Sequence, residues 1–382
     1  MEYTKEYTPF FSLLRSGLWE KDLIDLSPFP LSEEKWLEVY ARSCRQTVQG
    51  IVYRGLSYLP SQLLPPEELL VRWMVESVRL EENNKRTNKE IMALYTFFVS
   101  NGVHPILKKG QAAAALYEVP SLRVCGDIDL YFRTKEEYKC ANLLIARRDI
   151  EIHRRADGSY DYNWHGIEVE HHATLVDLRN PFLSAYLKKL LQGNDFDENY
   201  FSESRSSKND ENRSSKINES SLYKIEVPSA SITLLMFNAH IMKHALLSGI
   251  GLRQLCDMAR AYYRFSGLYQ GEELRLIYQK TGMMKWSRLL HSFLTEYLGL
   301  EKKYLPYEQD TVPAEKLLEA ILRGGNFGQH AGDYNRKERG YFSKKNYMIK
   351  SIYRNRRISM DCALFEAFCW TAELICGQIH ES

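Results

Sequence analysis

Between Val103 and Phe132 the spacing of apolar residues changes from that of a helix to that of a strand, and this change constrains the whole chain. Residues 67–100 carry apolar side chains at helical intervals. Residues 105–107 and 126–132 are instead short apolar runs bounded by turn residues. The first run ends in Lys108-Lys109-Gly110, an alanine-rich turn follows from Gln111, and the second run reads Arg123-Val-Cys-Gly-Asp127-Ile-Asp129-Leu. Residues i and i+2 of a strand share a face, so Asp127 and Asp129 project together while Ile128 and Leu130 pack behind them. Two adjacent carboxylates repel unless a cation lies between them, and hard oxygen ligands suit Mg²⁺. Gly110 lets the backbone come close to a bound group, and amides at the start of the following helix can hold a phosphate. Together these groups suit phosphoryl or nucleotidyl transfer.

The flanking patterns predict an α+β fold: a small mixed sheet with flanking helices, between N-terminal and C-terminal helical regions. Residues 1–102 read as a helical region, with Ser32 capping a helix over 32–48 and Asn101-Gly102 stopping the long one. Residues 103–193 read as the α/β core. A helix is expected over 134–147 and strands over 150–155, 159–164 and 167–172, giving about five strands. Asp157-Gly158 is a hairpin turn signal. On the last strand Glu168 and Glu170 flank Val169, so both share one face. If that strand neighbours the one bearing Asp127 and Asp129, a third carboxylate joins the site. Residues 194–227 read as a polar insertion or linker, because the Ser-, Asn- and Lys-rich run over 203–221 has too little apolar surface to offset ordering entropy. Residues 228–382 read as a C-terminal helical domain.

Composition narrows the partners. A net charge of +2 with 26% charged residues gives no global field for nucleic acid or membrane. No apolar run reaches the length of a membrane span, and no basic-then-apolar leader opens the chain. Seven cysteines without a C-x-x-C pair suggest reduced thiols and a cytoplasmic setting. Cys362, Cys369 and Cys376 recur every seven residues, as on one buried helix face.

The spacing Lys109-Gly110 … Arg123-x3-Asp127-Ile-Asp129 resembles nucleotidyltransferase family 5, within the DNA polymerase beta-like nucleotidyltransferase superfamily. Gly110 matches that pattern's strand-end glycine, and Asp127 and Asp129 match its acid-x-acid strand. Val169-Glu170-His171-His172 is similar to its Glu-x-His element. The helical half, from Pro228 through His240 and His244 to Arg253 and Asp257, is similar as well, as is the loop Gly325-Asn-Phe-Gly328. Gln111 stands where the superfamily has a small Ser or Gly, and the gap from Gly110 to Asp127 is longer than in many members.

The resemblance implies an Mg²⁺-dependent enzyme, with two ions and Mn²⁺ as the alternative metal. Asp127, Asp129 and Glu170 would be its catalytic and metal-binding acids. Lys109, Gly110, Gln111 and Arg123 would lie at the nucleotide. The substrates would be an NTP such as ATP and an acceptor hydroxyl or amine on a small molecule, protein or tRNA, with pyrophosphate released. His172, His240, His244, Arg253 and Asp257 are candidate substrate contacts. Each has a plainer reading: His172 as a strand-edge residue, His240 and His244 as helix packing, Arg253 and Asp257 as a surface pair. The spacing of His240 and His244 also permits zinc, but the glutamate of a zinc protease is missing between them. Lys108 reads as solvated. Aromatics interleave with the basic run 336–357, so it reads either as a solvated helix face or as a grip for RNA. Two other functions fit an acid-x-acid strand: a metal-dependent glycosyltransferase, and a non-catalytic nucleotide-binding partner of the toxin–antitoxin kind.

Overall fold

The computed structural model describes residues 2–155, 158–191, 196–202, 222–247, 249–326, 348–350, 352 and 366–372. Asp157 of the turn signal, the polar run 203–221, Phe327 and Gly328 of the glycine loop, Cys362 and Cys376 lie outside them, as does most of the basic run 336–357. In chain order the helices and strands are α1 Glu2–Trp19, α2 Glu33–Arg45, α3 Gln49–Leu56, α4 Glu67–Ser100, β1 Ile106–Leu107, α5 Gln111–Ala114, β2 Ile128–Tyr131, α6 Lys135–Ala146, β3 Ile152–Arg154, β4 Tyr160–Trp164, β5 Ile167–His172, α7 Ser184–Leu190, β6 Phe196–Ser202, β7 Leu222–Pro228, α8 Ala230–Leu247, α9 Leu252–Arg264, α10 Gly271–Lys280, α11 Met284–Glu296 and α12 Glu315–Gly324. The fold is α+β. None of the described helices is long and apolar enough to cross a membrane.

The chain divides into two compact units. One comprises Val75–Leu175 and Asn194–Ser229, the other Met1–Met74, Val176–Gly193 and Ala230–Ser382. In the first, five strands form a mixed sheet in the order β1-β2-β5-β4-β3. The β2–β5 pair is parallel, with Asp129 opposite Glu170, and the other neighbours are antiparallel. His165 (φ 49°) and Gly166 (φ 84°) make the two-residue turn from β4 to β5. Ile128, Leu130, Ile167 and Val169 point to one side of the sheet. There they pack with Ile91, Leu94 and Phe98 of α4, Ala141 and Ile145 of α6, and Ile225 and Val227 of β7. That face is a closed apolar core, which leaves the acids of β2 and β5 on the other. The polar linker reading misses its two ends, which pair as the antiparallel hairpin β6–β7. Their alternating residues supply strand pairing where composition suggested only solvent.

The second unit is helical. Thr47, with φ 53°, ends α2, so the helix read over 32–48 is followed by a separate α3. A Cβ on Gly17 would sit 1.8 Å from the Ile51 carbonyl oxygen and one on Gly55 2.1 Å from that of Leu13, so α1 and α3 cross backbone to backbone. Helix α8 is buried on nearly all sides, consistent with its apolar residues all round. The five described cysteines, Cys44, Cys125, Cys140, Cys256 and Cys369, are free thiols.

Candidate active site

Strands β2 and β5 build the site by simple alternation. Asp129 lies between the core residues Ile128 and Leu130, and Glu170 and His172 flank His171, which faces the core. His171 is fixed there: its Nδ1–H donates to Asn142 Oδ1 (2.8 Å), and Tyr162 donates its hydroxyl to Nε2 (2.9 Å). Burial, helped by the neighbouring His172, lowers its pKa to about 3, so it is a neutral core residue.

On the opposite face, ligand atoms of Asp129, Glu170 and His172 all lie within 4.8 Å of one another. His172 Nε2–H donates to Asp129 Oδ1 at 2.6 Å, and Glu170 Oε2 is 3.8 Å from the same nitrogen. The Lys109 ammonium stands 3.0 Å from Asp129 Oδ1. Burial alone would raise the Asp129 pKa. Lys109, His172 and Lys108 outweigh it and hold the carboxyl well below the usual carboxylate range. His172 is shifted down, chiefly by burial and then by Lys108, with Asp129 pulling the other way. The pair is therefore an ionised carboxylate accepting from a neutral imidazole.

The residues around these acids were harder to read from sequence. Lys108 is not solvated: it is 2% exposed and donates to the Thr174 carbonyl at 3.1 Å. The Lys-Lys pair ends a strand, so alternation turns one ammonium inward and the other towards the acid. Arg155 is a further residue the sequence did not single out. It reaches Asp161 (2.8 Å), Glu168 (2.5 Å) and Glu170 (3.5 Å), and these acids raise its pKa although burial opposes them. Asn84 stands on α4 in the polar stretch Glu81–Lys89. It is buried, and its amide donates to the carbonyls of Ser121 (2.7 Å) and Arg123 (2.9 Å). No signal in a single sequence separates such an asparagine from its solvated neighbours.

The glycine turn differs in form from the expected phosphate cradle. The helix expected after Gly110 closes to the single turn α5, too short to carry a useful dipole. Gly110 has φ 60° and ψ −110°, which a side chain resists, and a Cβ there would lie 2.9 Å from the Asp127 carbonyl oxygen. The glycine thus lets the turn back directly onto the acid loop. Gln111 is buried, and its amide donates to Asn84 Oδ1 at 2.8 Å. Arg123 is also buried and donates to the Val124 carbonyl (3.2 Å) and Cys125 Sγ (3.1 Å). Asp127 is half-buried, immediately before β2.

His240, His244, Arg253 and Asp257 belong to the helical unit. The two histidine rings meet edge to face at 4.4 Å on α8, and His240 Nδ1 and Lys243 Nζ lie 3.8 and 3.5 Å from Asp177 Oδ2. Asp257 is buried on α9 and Arg253, four residues earlier, is half-buried, so the reading of the two as a surface pair does not hold.

Two carboxylates and an imidazole whose ligand atoms lie within 4.8 Å of one another suit a divalent cation, since the oxygens are hard donors and the ring nitrogen is a common ligand, although the Lys109 ammonium now meets one of the carboxylates. The glycine turn backs onto the loop that leads into this acid-bearing parallel strand pair. The particular family follows from comparison. A model described as "Uncharacterised nucleotidyltransferase" matches residues 32–298, and the chain belongs to that family of nucleotidyltransferase enzymes. No curated protein and no solved structure matches it.

Proposed function

We propose that the acid-bearing face of β2 and β5 carries out Mg²⁺-dependent transfer of a nucleoside monophosphate from an NTP to an acceptor hydroxyl or amine. The observation that carries this reading is the parallel register that sets Asp129 beside Glu170, on the face away from the core. Asp129, Glu170 and His172 would hold the cation, with Asp127 adding a carboxylate from the loop before β2. A bound divalent cation would neutralise phosphate charge and favour ionisation of the attacking group.

In this reading the acceptor oxygen or nitrogen bonds to the α-phosphorus, the bond to the β-phosphate bridging oxygen breaks, and pyrophosphate leaves. Glu170 takes the acceptor's proton. Lys109 offsets charge on the departing phosphates, and the Gly110 turn leaves room for them. Arg155 fixes the Glu170 carboxylate from behind.

The test is a set of α-³²P-labelled NTPs incubated with Mg²⁺ and cell extract, with Asp129→Asn as the control. Label is expected to enter one extract component with the wild-type chain alone. Equal labelling by the variant would refute the assignment. Stabilisation against heat by UDP-sugars but by no NTP would turn the reading towards a glycosyltransferase, and NTP stabilisation without transfer towards a binding protein.

A further inference from the structure

Asp129 and Glu170 each already have a positive partner, and the partners differ in kind. Lys108 is held by the Thr174 carbonyl, and Arg155 by Asp161 and Glu168 as well as by Glu170. The Lys109 ammonium meets Asp129 at Oδ1, the oxygen that also accepts from His172. A carboxylate oxygen with two such donors has little left for a cation. The pair is poorly screened, since the Asp129 side chain is 2% exposed and that of Lys109 16%.

We propose that Lys109 is a displaceable counter-cation, holding Asp129 until a triphosphate draws its ammonium away, so that divalent cation and nucleotide load together. This rests on the proposed role of the acid face. A bare cation must expel the ammonium and offers it nothing in return. A cation carried on a triphosphate brings phosphate oxygens, which compensate the lysine for the carboxylate it gives up. By linkage the triphosphate tightens cation binding by the same factor as the cation tightens triphosphate binding. Lys109 is thus a positioning residue that sets metal affinity as well as phosphate affinity, and its removal moves the two in opposite directions.

The experiment measures Mn²⁺ binding to the full chain by electron paramagnetic resonance, with and without inorganic triphosphate. Bare Mn²⁺ is expected to bind Lys109→Met about tenfold more tightly than wild type, because the competing charge is gone. Lys109→Arg keeps the charge and stays near wild type. Added triphosphate should tighten Mn²⁺ binding to wild type but much less to Lys109→Met. If Lys109→Met, with a native near-ultraviolet circular dichroism spectrum, binds bare Mn²⁺ no more tightly than wild type, the counter-cation role is wrong. Should the methionine variant misfold, Lys109→Gln removes the same charge and is read in the same way. Asp129→Asn separates the two levels. If it still binds Mn²⁺ like wild type, the acid face is not the metal site. If it loses Mn²⁺ while Lys109→Met is unchanged, only the lysine inference falls.

Discussion

The sheet unit and the helical unit each hold a chain of polar side chains, and they keep it satisfied by different means. In the sheet unit the chain is ionic: Lys109, Asp129, His172, Glu170 and Arg155. In the helical unit it is neutral. Tyr278 and Tyr262 hydroxyls lie 3.1 Å apart, Tyr262 donates to His291 Nε2 at 2.7 Å, and His291 Nδ1–H donates to Gln309 Oε1 at 3.0 Å. Burial pushes the Tyr278 pKa well up and lowers that of His291 to about 4, so neither carries charge at neutral pH. A neutral chain meets its hydrogen-bond needs internally and serves stability. An ionic chain keeps charge poorly solvated, which costs stability and leaves groups able to engage a charged ligand.

Substitutions should separate these two roles. The largest expected effect is on the ionic chain: Asp129→Asn should lower nucleotidyl transfer about 10³-fold or more, read as initial rate with saturating NTP. Asn is the informative change, because alanine would leave Lys108 and Lys109 beside an empty space and burden folding as well as transfer. Glu170→Gln should follow with a loss on the order of 100-fold.

On the neutral side, Tyr262→Phe leaves His291 Nε2 without its donor. It should cost about 1–3 kcal/mol of stability with transfer unchanged, measured by urea unfolding. Five of the six tryptophans lie in the helical unit, so fluorescence reports that unit.

A pH effect of similar size follows from His291. Unfolded, it takes a proton near pH 6.5, whereas folded it refuses one until about pH 4. The unfolded chain therefore binds more protons between these values, and stability falls as pH drops from 6.5 to 4, by about 3 kcal/mol at most. His291→Gln should make that slope shallower, while His171, whose pKa burial lowers to about 3, keeps its own share. An unchanged slope would mean that His291 is solvated. The smallest effect is expected at the exposed Arg275–Glu272 pair, where Arg275→Ala should alter neither transfer nor the unfolding midpoint measurably.

Much of the sheet unit can be read in the chain because its signals are local. Alternation about Ile128 and Val169 places Asp129 and Glu170 on core-free faces, and His165-Gly166 makes the turn that pairs β4 with β5. His171 and His172, adjacent in sequence, divide between core and site by the same rule. Harder to read were groups whose role depends on a distant partner: Asn84 under the Ser121–Arg123 loop, Arg155 behind Glu170, and β6 and β7, each flanked by polar sequence.

What the sequence determined by itself was the α+β class, the strand that carries Asp129, and a glycine where the backbone comes close to the acid loop, although Asp127, read as sharing that strand, lies on the loop before it. These follow from steric and hydrophobic rules acting over a few residues. The tertiary structure alone decided that His172 joins Asp129 and Glu170, that Lys108 is buried while Lys109 meets the carboxylate, and that α5 is a single turn. Such outcomes depend on which charges end close together out of water, and electrostatic energy there is set by distances between segments far apart along the chain.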